Sequence, residues 1–241
     1  MIARLSKSSV NGMGMPLMAT GTPDSSAAIP RLAEQRNADV VTLTLDLGTG
    51  DDLQEVHERA LAAGAVRAHV LDAHEEFLRG YVLPALRAGV ADARDPMPAS
   101  LAYPLIAKKL DDIARIERAS AVVHDPEPGL APHASSRRPA AAGEGSEAQV
   151  EVSFEGGVPV AISGIPMPLT ELFESLAIIA AQHGIHPASR FQDAPAAVVL
   201  NAAFAALNAS GRSPGARPAG VLRLTLVDGT IHVSDLAALR S

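Results

Sequence analysis

The chain has 241 residues, of which 47% are hydrophobic, and its 20 basic and 27 acidic residues give a formal charge of −7. This length can bury a core as one large domain or two small ones. Charges of both signs are interspersed, so no basic surface for nucleic acid is predicted. Cysteine is absent, which excludes disulfides, thiolate metal sites and a cysteine nucleophile. No apolar run reaches the roughly 18 residues that span a bilayer, and we expect a soluble, cytoplasmic protein.

The first half of the sequence alternates between strand-like and helix-like segments. Residues 1–14 lack the apolar core of a signal peptide and are interpreted as an N-terminal extension. The stretch LMATGTPDSS joins a short apolar run to a glycine turn, after which AAIPRLAEQ can begin a helix. ADVVTLTLDL, AVRAHVLD and SAVVHD are strand-like, whereas DDLQEVHERALAAGA, AHEEFLRGYVLPALRAG and PLIAKKLDDIARIERA have helical spacing of apolar residues. This alternation predicts right-handed crossovers and a mostly parallel sheet covered on both faces.

The pattern changes after Asp125. Residues 126–147 are rich in Pro, Gly, Ala and Ser and are predicted to be a flexible linker. AQVEVSFEGGVPVAISG and GVLRLTLVDGTIHV each alternate as two strands around a Gly-Gly or Asp-Gly turn. PLTELFESLAIIAAQHG between them is an amphipathic helix, and AAVVLNAAFAALN is a second apolar segment. We therefore predict an α/β domain at residues 15–125 and a smaller α+β domain at residues 148–241.

Polar residues and glycines give signals for the ends of two of these helices. Asp51 or Asp52 can cap the helix in DDLQEVHERALAAGA, and Gly64 can end it. Thr170 is a candidate cap for the helix in PLTELFESLAIIAAQHG, and Gly184 is its predicted end.

Long segments in both halves resemble one known family. DLGTGDDLQEVHERALAAGAVRAHVLDAHEEFLRGYVLPALRAG and SLAYPLIAKKLDDIARIE closely resemble the nucleotide-binding domain of argininosuccinate synthase. VEVSFEGGVPVAISGIPMPLTELFESLAIIAAQHGI and GVLRLTLVDGTIHV resemble parts of the synthetase domain of that family. The resemblance covers residues 15–124 and 148–234 with internal omissions. It implies a Rossmann-like PP-loop domain of the adenine nucleotide α-hydrolase type, followed by a truncated, synthetase-like α+β domain.

The resemblance also implies a reaction. Argininosuccinate synthases adenylate the ureido oxygen of citrulline with ATP, and the amine of aspartate then displaces AMP. Such chemistry requires magnesium, a backbone cradle for the triphosphate, and side chains that align two amino acids.

The glycine turn of LMATGTPDSS aligns with the pyrophosphate loop of the family, Ser-Gly-Gly-Leu-Asp-Thr-Ser. The resemblance implies nucleotide contacts from the positions that keep its chemistry: Thr20, Gly21, Asp24, Ser25 and Ser26. Thr22 replaces a glycine that lets phosphate approach, Pro23 removes a backbone donor, and Pro30 falls where the anion-binding helix should continue. We therefore expect that ATP and magnesium, which the resemblance implies, have been lost rather than retained.

Most substrate-binding residues of the family are replaced in this sequence. His124 is kept, but PEPGLAPHASS follows it in place of the family's second nucleotide segment. Ser100 matches a substrate serine, and Asp95 stands near the position of a substrate tyrosine. Phe191 stands where another substrate tyrosine lies and lacks its hydroxyl. The segment with the substrate glutamate and the arm that locks the family's tetramer have no counterpart, which leaves a homodimer open.

Three other groups of polar residues could indicate metal or phosphate sites, but each has a simpler interpretation. His183 and His186 lie three apart, but a cationic histidine at a helix end is the simpler interpretation. Residues 124–133 include two histidines and two acids, yet a linker cannot hold them rigidly. Arg137 and Arg138 are interpreted as solvated, and no metal site is predicted.

These observations lead to two hypotheses of function. The first is a divergent argininosuccinate synthase-like enzyme of specialised metabolism that acts on an amino-acid-like substrate and does not make argininosuccinate. It would be a carbon–nitrogen ligase or a derived, ATP-independent enzyme. Asp92, Arg94 and Asp95, which by resemblance face the substrate side, are its candidate catalytic group. The second is a non-catalytic binding or assembly protein that uses the same scaffold to contact a protein partner. Neither hypothesis involves nucleic acid or a membrane.

Overall fold

The computed structural model describes residues 17–20, 28–92, 95–119, 122, 147–187, 189, 191–209 and 220–237. Their contacts form two compact units, the first within Met1–Ala73 and Ala102–Ala131 and the second within His74–Leu101 and Pro132–Ser241. The predicted linker at 126–147 lies outside the described residues except for Glu147. The segment at 74–101, which the sequence analysis assigned to the first domain, packs within the second unit.

The described elements follow one another in the order that the sequence predicted. They are β1 (Leu17–Thr20), α1 (Ala28–Arg36), β2 (Val40–Asp46), α2 (Leu53–Ala62), β3 (Arg67–Asp72), α3 (His74–Phe77), a π-helical turn (Leu78–Val82), α4 (Leu83–Ala88), a 3₁₀ turn (Ala99–Ala102), α5 (Tyr103–Ile116), β4 (Ala148–Glu155), β5 (Val158–Ile162), β6 (Ile165–Pro166), α6 (Leu169–Gln182), α7 (Ala194–Ala209), β7 (Gly220–Val227) and β8 (Thr230–Ala237). Of the predicted strand SAVVHD, Val122 forms an isolated bridge, and all of the other residues lie outside the described ones.

The first unit is a parallel sheet with helices on both faces, as predicted. Its strands lie in the order β1-β2-β3, and both pairings are parallel. Apolar side chains on one face of β2 pack with α1 and α2, and those on the other face pack with α5. The two clusters are Ile29, Val40, Ala60 and Ala65 on the first face, and Val41, Leu43, Leu110, Ile113 and Ala114 on the second. Because both faces are covered, β2 has buried apolar side chains on each face, Val40 on the first and Val41 and Leu43 on the second.

The helix ends of the first unit follow local signals. Asp52 caps α2, because its side chain accepts hydrogen bonds from the backbone N–H groups of Gln54 and Glu55 at 3.0 and 3.1 Å. Gly64 follows the end of α2 with a φ of +101°, as a C-terminal glycine should. Pro30 lies within α1 and does not interrupt it.

A buried carboxylate joins the end of α5 to β3. Glu117, whose side chain is 4% exposed, accepts hydrogen bonds from Arg67 at 2.7 Å and from His69 Nε2 at 2.8 Å. Arg67 and His69 alternate with residues of the other face along β3, so they reach the same side of the sheet. This contact fixes the end of α5 against β3.

The second unit is built on an antiparallel sheet in the order β6-β5-β4-β7-β8. Both predicted hairpin turns are present, with positive φ at Gly156 and Gly157 and at Asp228 and Gly229. One face of the central strands is buried, and the other carries polar pairs such as Glu151 and Arg223, which bond at 2.6 Å. A sheet with one solvated face is typical of antiparallel strands.

Residues from His74 to Ala88 form one helical run with a π turn in the middle. The N–H of Leu83 donates to the carbonyl of Leu78, five residues earlier. Pro84 has no N–H for the carbonyl of Gly80 and would crowd it in a regular helix, so the wider turn accommodates the proline. The run packs against α6 and α7.

The start of α6 differs from the prediction. Thr170 was expected to cap this helix, but α6 begins at Leu169, and its cap residue is Pro168. The carbonyl of Pro168 accepts the N–H of Leu172 at 2.9 Å, and the buried side chain of Leu169 belongs to the core. The expectation for Thr170 is therefore wrong, because a residue inside the first turn cannot cap it.

The predicted end of α6 is confirmed at Gly184, which lies against the β7–β8 turn. The N–H of Gly229 donates to the carbonyl of His183 at 2.7 Å. A Cβ added to Gly184, where φ is +85°, would come within 2.9 Å of the backbone nitrogen of Gly229. Both glycines are therefore required by a close approach of two backbones.

We predict that Thr42→Val raises the free energy of unfolding by about 1 kcal/mol. Thr42 is 5% exposed on β2 and, among the described residues, its hydroxyl has no hydrogen-bond partner. Removing a buried, unpaired hydroxyl while keeping the shape of the side chain should stabilise the protein. Urea denaturation measures the effect, with half-buried Thr44→Val on the same strand as control. A gain no larger than that of Thr44→Val would contradict the prediction.

We predict that Gly184→Ala destabilises the protein by about 2 kcal/mol or more, through backbone strain and the clash with Gly229. Gly89→Ala is the matched control, because Gly89 also has a positive φ of +65° but a Cβ there meets nothing within 4 Å. The difference between the two melting curves isolates the close approach. Equal losses would show that the approach of the two glycines has no energetic consequence.

Candidate functional site

The carboxyl ends of the three parallel strands carry polar residues. Thr20, Asp46 and Asp72 are the last residues of β1, β2 and β3. Oδ1 of Asp46 accepts the N–H of Gly48 at 2.9 Å, which forms a tight turn at this edge. Ligands of open parallel sheets bind outside this edge. The other predicted nucleotide-loop residues lie outside the described residues: Gly21, Asp24, Ser25 and Ser26.

A buried histidine–aspartate pair lies in the second unit. His74, the first residue of α3, forms a hydrogen bond through Nε2 with Oδ2 of Asp193, which directly precedes α7. Their side chains are 11% and 1% exposed. The carbonyl of Asp193 accepts the N–H of Ala197 at 3.0 Å, so its carboxylate lies where a helix N-terminus favours negative charge. The pair fixes the start of α3 to the start of α7.

An aromatic cluster lies beside this pair. The rings of Phe77 and Phe191 have centroids 5.1 Å apart, and Tyr81 lies 6.4 Å from Phe77. Phe191, predicted to contact a substrate, is 4% exposed. Its ring is therefore part of the core of the second unit.

The segment Asp95–Met97 lies against the loop that precedes α7. The hydroxyl of Ser189 donates to the carbonyl of Met97 at 3.1 Å and accepts the N–H of Phe191 at 3.3 Å. Pro96 and Met97 are buried, and Asp95 is partly buried. Oδ1 of Asp95 is shielded from solvent, and within the described part of the chain no donor reaches it.

The remaining predicted site residues are not part of this cluster. Asp92 is exposed, and Ser100 is exposed in the 3₁₀ turn. Arg94 lies outside the described residues. The structure thus brings Asp95 and Phe191 into neighbouring segments through Ser189, and leaves Asp92 and Ser100 at the surface.

The histidine at the end of α6 has a local role. Nδ1 of His183 bonds to the carbonyl of Ile179 at 2.8 Å, as suits a histidine at a helix C-terminus. No group of three residues able to hold a metal ion occurs among the described residues. In the same part of the chain, no helix is both long and apolar enough to cross a membrane. His124, residues 126–133 and the arginines at 137 and 138 lie outside it.

Sequence reasoning missed three residues of the second unit. His74 and Asp193 are 119 positions apart, and Ser189 is 92 positions from Met97. Each of these pairings depends on tertiary packing, which no local spacing reveals. Asp193 gave one usable signal, because an aspartate before an apolar helical segment is typical of a helix start.

Comparison with known proteins gives matches in the first half of the chain. Residues 16–127 match the family model of the arginosuccinate synthase N-terminal HUP domain. The argininosuccinate synthase of Bacillus cytotoxicus is 46% identical over 109 residues, which are 45% of this chain and 27% of that protein. That of Nitratidesulfovibrio vulgaris strain DP4 is 47% identical over 109 residues, 45% of this chain and 28% of the relative. That of Pelotomaculum thermopropionicum is 41% identical over 109 residues, 45% of this chain and 27% of the relative.

Residues 16–127 are an argininosuccinate synthase-like HUP domain. The parallel sheet of the first unit agrees with this Rossmann-like PP-loop fold. The chain spans little more than a quarter of the length of the curated relatives that it matches. The match includes residues 74–101, which pack within the second unit. The resemblance of residues 148–234 to a synthetase domain stays a prediction.

We predict that His74→Ala lowers the free energy of unfolding by about 3–5 kcal/mol, because it leaves the carboxylate of Asp193 buried without its partner. Urea unfolding of the full chain measures the loss. Glu75→Ala is the control: Glu75 forms an exposed ion pair with Arg79, and such pairs contribute roughly 0–1 kcal/mol. The double variant His74→Ala/Asp193→Ala should lose less than the sum of the single variants. Strict additivity would show that the two residues are not coupled.

Proposed function

We propose that this chain is a divergent argininosuccinate synthase-like protein that does not make argininosuccinate and acts on another amino-acid-like substrate. The burial of Phe191 carries the proposal. By resemblance, Phe191 stands at the position of a substrate tyrosine, whose hydroxyl would form a hydrogen bond with a ligand. A phenyl ring packed on Phe77 and 4% exposed offers no hydrogen bond and little accessible surface.

The loss of this contact affects specificity more than folding. A site built around hydrogen bonds to its substrate discriminates strongly through those bonds, because an unmatched polar group is costly. Replacing the hydroxyl by a packed ring removes that discrimination while adding apolar burial and an aromatic contact. The segment around Phe191 therefore supports a scaffold that is kept and a substrate preference that has changed.

We extend the proposal to the cofactors. ATP and magnesium belong to the reaction that the resemblance implies, but Thr22 and Pro23 alter the loop that would hold the triphosphate. Backbone N–H groups supply most of the binding in such loops. A proline removes one of these donors, and a threonine narrows the approach of phosphate. The proposed activity is accordingly independent of the ancestral adenylation of citrulline.

The carboxyl group of Asp95 supports the hypothesis that a small polar ligand binds near Phe191 over the hypothesis that no ligand binds there. Asp95 lies in a segment that Ser189 ties to the Phe191 loop, and its buried oxygen meets no donor within the described residues. Buried carboxyl oxygens in folded proteins are nearly always bonded. A ligand with N–H donors would complete this group.

We predict no formation of AMP, pyrophosphate or argininosuccinate when the full chain is incubated with citrulline, aspartate and Mg-ATP. Chromatographic detection of AMP and argininosuccinate is the measurement, with the Bacillus cytotoxicus argininosuccinate synthase as positive control. Turnover above that of heat-inactivated protein would overturn the proposal that the ancestral reaction is lost.

A panel of amino acids tests the second part of the proposal. At a ligand concentration of 100 times Kd, binding should stabilise the protein by about 2.7 kcal/mol, which a thermal melt detects. At least one member of the panel should raise the melting temperature. If none does so and the protein co-purifies with another chain, the non-catalytic assembly hypothesis replaces the enzyme.

A further inference from the structure

We propose that Asp95 recognises a cationic group, an ammonium or guanidinium, on the side chain of an amino-acid-like ligand bound by the second unit. This inference rests on the proposed function and adds the charge of the ligand to it.

The first observation is the unpaired oxygen of Asp95. Among the described residues only two buried side-chain atoms lack a hydrogen-bond partner, Oδ1 of Asp95 and Oγ1 of Thr42. A hydroxyl without a partner is a modest loss, but an acid can carry a full charge, and a buried charge without a partner is far more costly. The carboxyl group therefore fits a partner that arrives with the ligand.

The second observation is the anchoring of the backbone around Asp95. Pro96 follows it with a fixed φ, and Met97 is completely buried. The carbonyl of Met97 is held by Ser189, whose hydroxyl also accepts the N–H of Phe191. Phe191 is in turn packed on Phe77. The backbone beside Asp95 is thus fixed before a ligand binds, which reduces the entropy lost on binding.

The third observation is access. Asp95 is only partly buried as a residue, although Oδ1 is shielded. Because an aspartate side chain is short, the shielded oxygen therefore lies close to the surface of the second unit. The formal charge of −7 also favours the approach of cations over anions.

The chemistry of a carboxylate selects the ligand class. A carboxylate only accepts hydrogen bonds, so its ligand must donate, and a guanidinium can donate two parallel N–H bonds to it. Bonds between ionised partners are roughly twice as strong as neutral ones. A ureido group donates N–H bonds too, but without the charge. Asp95 should therefore prefer a guanidinium ligand to its neutral ureido counterpart.

Isothermal titration of the full chain with L-arginine and L-citrulline tests this inference, because the two amino acids have the same length and shape and differ in charge. We expect arginine to bind at least about 10-fold more tightly. Asp95→Asn should weaken arginine binding by about 10- to 100-fold, the range for a hydrogen bond to a charged group, and change citrulline binding little. Glu174→Gln, which removes an exposed carboxylate on α6, is the control and should change neither.

The melting temperature of the ligand-free variants separates recognition from a structural role. Asp95→Asn should melt at the same temperature as the native chain or higher, because Oδ1 of this partly buried acid meets no donor among the described residues. A lower melting temperature, or failure to fold, would show that Asp95 stabilises the protein and would overturn the inference.

The titrations also distinguish the two proposals. If citrulline or another neutral amino acid binds as tightly as arginine, or if Asp95→Asn keeps full arginine affinity, the inference fails and the proposed function stands. If no amino acid of the panel binds, both fail.

Discussion

The second unit depends on the joint between the start of α3 and the start of α7. His74 bonds to Asp193, and three residues further along the run Phe77 packs on Phe191, two residues before Asp193. Polar and apolar contacts therefore act on the same pair of segments. A buried polar pair contributes little net stability after desolvation, but it penalises any arrangement that separates the partners. The joint thus fixes the relative position of the two segments more than it adds to their stability.

The geometry of the candidate site depends on this joint between the start of α3 and the start of α7. The loop before α7 is held by Phe191 and Asp193, and the same loop holds Asp95–Met97 through Ser189. A side chain that contacts a ligand must be placed within a fraction of an ångström by residues that do not contact it. For Asp95, His74 and Phe77 are such supporting residues, because they hold the loop that contacts Asp95–Met97. The aromatic contact adds roughly 0.5–1.5 kcal/mol beyond area burial, which a hydroxyl pointing at a ligand could not add.

The sequence predicted those parts of the fold that depend on local chemistry. Asp52 caps α2, and the hairpin glycines adopt positive φ, because each effect involves residues a few positions apart. The apolar spacing of residues 74–88 correctly indicated a helix. It could not indicate which core the helix joins, because apolar spacing shows that one face is buried but not which elements cover it. Thr170 was mistaken for a cap because Pro168 offers an extended backbone just before a buried leucine.

The site was predictable only in part for the same reason. The resemblance pointed to Asp95 and Phe191 by alignment, and the structure places both near the joint. It gave no indication that Phe191 would be buried, because burial depends on Phe77, more than one hundred positions away. His74 and Asp193 show no local pattern of a pair. Long-range contacts of this kind follow from packing, and a single sequence does not encode them in its spacing.

Two aspartates of the second unit, Asp193 and Asp95, have different hydrogen-bonding surroundings. Asp193 is 1% exposed and has a histidine beside it, at the N-terminus of a helix. Asp95 has a shielded oxygen that no donor contacts in the described part of the chain. The same unit provides a hydrogen-bond partner for the buried acid Asp193. An unpaired buried acid costs a noticeable share of a total free energy of unfolding of about 5–15 kcal/mol. Sequences depart from such local rules mainly at functional sites. Thr42 is a weaker exception, since a hydroxyl carries no charge, whereas Asp95 is an acid in a backbone segment that its neighbours fix.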